Sequence, residues 1–169
     1  MKPPLGLLLV MMEPPAEHAE EFDAWYSTEH LPQRLSMPGF LNGTRWKCVD
    51  GWPEWLALYD LESLAALETP EYLAVSGTRS TPWTRRVLGF VKGYRRVAAM
   101  QLKPGNELIA PEIEKLMVRQ GITEAPAGAR LVQCRWYSDE WVIAGYESDA
   151  QLVRPDGAKL WNVYVRDNF

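Results

Sequence analysis

Glu21-Phe22-Asp23-Ala24-Trp25-Tyr26-Ser27-Thr28-Glu29-His30-Leu31-Pro32 is the stretch whose reading decides this chain. Pro14 and Pro15 end an apolar segment before it, and Pro15 suits the first position of a helix. Glu17, Glu20, Glu21 and Asp23 crowd the first turns, where carboxylates interact favourably with the positive end of the helix dipole. The pattern predicts a helix from about Ala16 to His30 or Leu31, because Pro32 disfavours helical geometry at the residue before it. At about 100° per residue, Trp25, Glu29, Phe22, Tyr26, Ala19 and His30 share an arc of about 140°. That apolar face holds one carboxylate, Glu29, which must be paired, protonated or turned to a cavity. A carboxyl held in such a place suits acid–base chemistry. At the edge of the face, His30 meets two opposed effects. The helix end favours imidazolium, and aromatic neighbours favour the neutral ring, so its charge change can sit near physiological pH. The same spacing also fits a histidine that caps the helix end or faces solvent.

Working outward, residues 5–12 are apolar on both faces, as in a strand covered on both sides. Residues 41–49 and 55–61 read as strands around a turn at Asp50-Gly51, and 61–68 and 71–75 as short helical pieces. Residues 87–102 favour β structure, and 106–120 carry helical spacing, with the helix proper starting near Pro111. Residues 130–137, 141–146 and 160–165 close the chain as strands. The order is βαββαβ and then most of βαββαβ again. Met12-Glu13-Pro14 resembles Leu102-Lys103-Pro104, Gly43-Thr44-Arg45 resembles Gly128-Ala129-Arg130, Trp55 matches Trp141, and Glu62-Ser63 matches Glu147-Ser148, at offsets of 85–90 residues. Each match alone is weak, but their shared order and near-constant offset lead us to expect a tandem repeat. The expected fold class is α+β: two ferredoxin-like repeats, residues 1–93 and 94–169, fused in one chain with their sheets packed into an α/β barrel.

Composition narrows the function. The 169 residues carry a formal net charge of −4, which argues against a nucleic-acid partner. Eight tryptophans and seven tyrosines exceed what a core of this size needs, so some are expected to line a pocket. The apolar stretch after Lys2 is shorter than the roughly 20 residues that span a bilayer and lacks a small-residue cleavage site. Cys48 and Cys134 are far apart without nearby ligand partners, which fits reduced thiols. The expectation is a cytoplasmic protein with no membrane partner. His18 and His30 are the only histidines, and no metal motif or phosphate loop is present, so neither metal nor cofactor is expected. Between Arg79 and Arg96 six basic residues alternate with Trp83, Phe90 and Tyr94. They read as a solvated face against the acidic helix, or as a carboxylate anchor at Arg85 or Arg86.

The stretch from Glu21 to Pro32, followed by Arg34-Leu35 and Met37-Pro38-Gly39-Phe40, resembles the dimeric α/β-barrel superfamily, and within it the EthD-like and muconolactone-isomerase-like branches with their W-Y-x-x-E-H-L-P signature and following P-G-F. Residues 56–61 and 81–85 continue the likeness. The resemblance implies paired ferredoxin-like sheets with a ligand pocket between sheet and helices. It also implies activities such as isomerisation, dehydration, decarboxylation, cyclisation or cofactor-free monooxygenation, with His30 as acid or base. The second half lacks W-Y-x-x-E-H, so the expectation is a fused pseudo-dimer with one chemical site, its further self-association left open. The candidate catalytic residues are His30, Tyr26 and Glu29. Trp25, Phe22, Trp46, Tyr59, Trp83 and Arg85 are the candidate substrate contacts, although Trp46 and Tyr59 equally suit a core. The expected partner is a small hydrophobic, aromatic or polyketide-like molecule. The expected chemistry is an isomerase or lyase type of proton transfer, with a non-catalytic binding protein or a monooxygenase as alternatives.

Overall fold

The computed structural model describes residues 2–101, 104, 111–121, 130–136, 139–147, 152 and 162–167. Strand β1 (Gly6–Glu13) lies between β3 (Trp55–Leu61) and β4 (Lys92–Gln101), antiparallel to both. β2 (Phe40–Asp50) follows β3 and pairs with β8 (Asn162–Arg166). From β8 the sheet passes through β5 (Lys115–Gln120), β7 (Asp139–Tyr146) and β6 (Arg130–Trp136), and β6 returns to β4. The protein is therefore an α+β fold around a closed barrel in the order β1-β3-β2-β8-β5-β7-β6-β4. Each half follows the same internal order, β2-β3-β1-β4 and β6-β7-β5-β8.

Strand alternation sorts the side chains into two cores. Leu7, Leu9 and Met11 of β1 point into the barrel with Trp46, Leu56, Leu58, Val97, Leu116, Val118, Ile143 and Tyr164. Leu8, Val10 and Met12 point outward with Ala57, Tyr59 and Leu61, and meet Phe22, Trp25, Tyr26, Tyr72 and Val87 from the helical layer. This is why β1 is apolar on both faces. The helical layer comprises α1 (Ala19–Trp25), a π-helical turn (Tyr26–His30), α2 (Leu31–Leu35), α3 (Pro70–Leu73) and α4 (Pro82–Phe90).

Three expectations are corrected. Residues 82–90 form a helix: Thr81 caps it by accepting from the Thr84 amide, and Pro82 occupies its first turn. The helix expected over 106–120, of which residues 106–110 lie outside the described residues, is absent from 111–120, because Lys115–Gln120 is strand β5. There Leu116 and Val118 face the barrel and Met117 faces the other side, so an apolar run that mimics helical spacing serves two covered faces. The first helix also does not stop at Pro32 but continues to Leu35.

Arg45 ties the helical layer to the barrel. It is buried on β2, its guanidinium 4.0 Å from the Trp55 ring centroid and 4.9 Å from that of Tyr26, and its Nη2 donates to Asp23 Oδ1 at 2.6 Å. Asp167, just past β8, lies 3.9 Å from the same nitrogen, so one guanidinium links α1, β2 and the last strand. At the surface, Arg86 grips Glu21 with two bonds of 2.6 and 3.0 Å. The contrast predicts stability. Trp46→Ala, which empties the barrel interior, should cost about 3–5 kcal/mol in urea unfolding. Arg86→Ala should move the urea midpoint little, because solvent screens an exposed pair.

Candidate functional site

The π turn at Tyr26–His30 shapes the site. Leu31 donates its amide to the Tyr26 carbonyl, five residues back. Three local features widen the helix here. Ser27 Oγ bonds the Asp23 carbonyl at 2.8 Å, Thr28 Oγ1 bonds the Ala24 carbonyl at 2.5 Å, and Pro32 has no amide hydrogen to continue the ladder. In an α-helix, residues five apart point about 140° away from each other. In the wider turn they become neighbours, and the His30 ring stacks on Trp25 at 4.3 Å and 29°. Tyr26 meets His30 edge-on at 5.4 Å. Glu29, expected at the centre of the apolar face, turns aside. It accepts from Thr81 Oγ1 at 2.5 Å and Thr84 Oγ1 at 3.3 Å, while Thr84 Oγ1 accepts from the Trp25 indole at 3.1 Å. Glu29 thus locks the π turn to α4 and orients the ring on which His30 stacks.

A cavity of about 430 Å³ opens between this helical face and the outer side of the barrel. Leu8, Val10, Met12 and Tyr59 form its floor, and Trp25, His30 and Arg34 form one wall. Tyr72, Leu73, Ser76, Ser80, Thr84 and Leu88 line it too, with Tyr94 and Arg96 on strand β4. Gly43 makes room for the floor, because a Cβ there would lie 2.7 Å from the Tyr59 ring.

His30 is 9% exposed, and its Nδ1 has no hydrogen-bond partner. Burial, helped by the charge of Arg34, pushes its pKa down to about 3, so the ring is neutral at ordinary pH. Burial pushes the Tyr59 phenol well above its usual range, and its hydroxyl also lacks a partner. Two unpaired polar groups therefore sit at one apolar cavity, where a ligand can satisfy them.

Of the residues singled out in the sequence, His30, Trp25 and Tyr59 share this cavity. Tyr26 and Phe22 stand behind the wall, buried against each other at 5.2 Å. Glu29 is the hinge to α4 just described. Trp46 faces the barrel interior, opposite to the cavity, because its neighbour Arg45 takes the helix-facing side of β2. Trp83 packs against the helical layer, and Arg85 is exposed and donates to the Ser80 carbonyl. Neither lines the cavity. Sequence reasoning missed Arg34, Tyr72 and Arg96. Arg34 was hidden because Pro32 read as the helix end, and its position four residues after His30 was the available signal.

Among the described residues no three His, Cys, Asp or Glu side chains gather as a metal site, and no helix is long and apolar enough to cross a membrane. No family model and no curated protein matches the chain. The chain is similar in fold to a crystal structure of an anthrone oxidase-like protein, with a TM-score of 0.62 and 11% identity over 98% of this chain and 92% of that one.

The state of His30 sets a pH dependence. Between pH 6.5 and about 3 the unfolded chain holds a proton that the folded imidazole refuses. This contribution to stability is complete above 6.5 and falls by roughly 1.4 kcal/mol per pH unit as the pH drops through that window. His30→Asn should flatten the slope in urea unfolding. The His30 Hε1 resonance should stay constant from about pH 8 to 5; a titration there would show a solvated ring.

Proposed function

We propose that the protein is a small-molecule enzyme that moves a proton on a hydrophobic aromatic or polyketide-like substrate, using residues of the cavity and no cofactor. The observation that carries this reading is a buried, neutral imidazole with an unpartnered Nδ1 on the wall of an aromatic-lined cavity. Such a ring can take a proton from an acidic C–H next to a carbonyl. The electron pair left on carbon delocalises into the carbonyl as an enolate. Return of the proton to a different carbon completes an isomerisation, and departure of a β-hydroxyl as water completes a dehydration. Trp25 fixes the imidazole plane by stacking, and Tyr26 and Glu29 act as positioning residues behind it. Trp25 and Tyr59 are the substrate contacts.

The EthD-like signature around His30 supports this reading, and the sheet order supports two fused ferredoxin-like units. Arg45 and Arg130 fall on β2 and β6, which hold equivalent places in the two halves, and Trp55 and Trp141 fall on the equivalent β3 and β7. Leu102 and Lys103, matched to Met12 and Glu13, lie outside the described residues. The unit boundary then lies after Gln101.

A second reading rests on the anthrone oxidase-like neighbour. The same carbanion can pass electrons to dioxygen. An anthrone methylene would become a carbonyl, with one dioxygen consumed and one water released.

One experiment separates the readings. Anthrone is incubated with the protein in deuterated buffer, under nitrogen and under air. Proton transfer alone predicts deuterium at the methylene carbon faster than in buffer, with His30→Gln slowing exchange by about 100-fold. Oxidation predicts in addition one dioxygen consumed per anthrone, only under air. Anthrone bound but recovered unchanged and unexchanged would leave a binding protein. Wild-type exchange in His30→Gln would remove His30 from the chemistry.

A further inference from the structure

The cavity wall carries a positive charge that nothing in the described structure neutralises. Arg34 is 6% exposed, and arginine is almost never that buried without a counter-charge. Its Nη1 reaches only Gln33 Oε1 at 3.5 Å and Met37 Sδ at 3.9 Å, both long and uncharged contacts. Its guanidinium lies 5.0 Å from the Tyr72 ring centroid, a contact that offsets part of the desolvation. Other described cations such as Arg45, Lys47 and Arg86 make ion pairs, and among the described residues Arg34 has no carboxylate partner. Arg45 shows the ordinary arrangement in the same molecule: buried still more deeply, it is held by Asp23 at 2.6 Å.

A second cation reaches the same space. Arg96 on β4 lines the cavity and donates from Nη2 to the Tyr72 hydroxyl at 2.9 Å, so one tyrosine holds one arginine on its face and the other at its hydroxyl. His30 on the same wall is neutral, so among the described residues the cavity lining presents two cations and no carboxylate.

We propose that this cavity is built for an aromatic ligand that carries an anionic oxygen group, with Arg34 as the buried counter-charge and Arg96 as a second, more exposed one. The proposal rests on the reading that the cavity binds an aromatic small molecule, and it specifies that molecule's charge. A planar guanidinium with fixed donors recognises a carboxylate, an enolate or a phenolate far better than their neutral analogues. The apolar floor of Leu8, Val10 and Met12 takes the ring system. The arrangement also suits the proton transfer, because an enolate formed beside His30 would face an existing positive charge.

The test compares 2-naphthoate with 2-naphthamide, which share the ring and differ in charge, by calorimetric titration at neutral pH. Wild-type protein should bind the acid at least about tenfold more tightly than the amide. In Arg34→Met that preference should vanish while amide affinity stays within about threefold, and Arg34→Lys should keep part of it. Arg96→Gln should reduce it by a smaller factor. Equal wild-type affinity for acid and amide would overturn the proposal and leave the aromatic cavity standing. A preference that persists in Arg34→Met would overturn the role of Arg34. Binding of neither compound would overturn both the proposal and the reading on which it rests. The wild-type comparison decides even if Arg34→Met fails to fold.

Discussion

The stacking of His30 on Trp25, made by a helix that widens for one turn, is the contact on which the site depends. An ordinary α-helix would direct Glu29 into the cavity side and swing His30 toward the edge. Inserting the π turn exchanges them: the imidazole takes the wall, and the carboxylate goes to Thr81 and Thr84. The hydroxyls of Ser27 and Thr28 and the missing amide hydrogen of Pro32 sit at the residues where the ladder opens. Because Pro32 falls after the widened turn, the helix continues, and Arg34 reaches the same cavity one turn later.

The barrel gives this helix a stiff surface to stand on. Among the described residues Trp46, Tyr164 and mostly branched aliphatic side chains pack the interior, and the cavity that holds His30 lies outside it, under the helices. Arg45 fastens the two layers. Burying that guanidinium is tolerable because Asp23 pairs with it and two aromatic rings cover it. The satisfied network of Trp25, Thr84, Glu29 and Thr81 then holds α4 against the π turn. The Trp25 indole, the Thr84 and Thr81 hydroxyls and Glu29 Oε1 are joined in it, whereas His30 Nδ1 and the Tyr59 hydroxyl at the cavity have no partner. The two unsatisfied groups on the cavity wall are ones that a bound ligand can satisfy.

Electrostatics in the cavity follow from burial. The same loss of water that keeps His30 neutral keeps Tyr59 protonated, whereas a guanidinium stays charged under any such penalty. The cavity therefore combines a neutral proton acceptor with a permanent cation one helical turn away. Burial is the main reason that His30 is a weak base and the charge of Arg34 adds to it, so an anion bound beside Arg34 would relieve the second part.

What the sequence determined alone was the period of its segments. Alternating and doubly apolar runs marked β1, β2, β3 and the closing strands, and the aromatic face of the first helix marked Phe22, Trp25, Tyr26 and His30 as its buried side. It could not separate a helix from a two-faced strand over 111–120, since a short apolar run satisfies both periods until a barrel covers both faces. Nor could it show which side of β2 Trp46 would take, because the choice between Arg45 and Trp46 depends on which strand face the helices cover. The largest decision left to the tertiary structure was the extra residue in the turn at Tyr26–His30. A fixed 100° per residue has no place for it, and it exists because side-chain hydroxyls, a proline and packing on the barrel together outweigh one regular helical hydrogen bond. That single change of register decided that His30 and Arg34, and not Glu29, face the cavity.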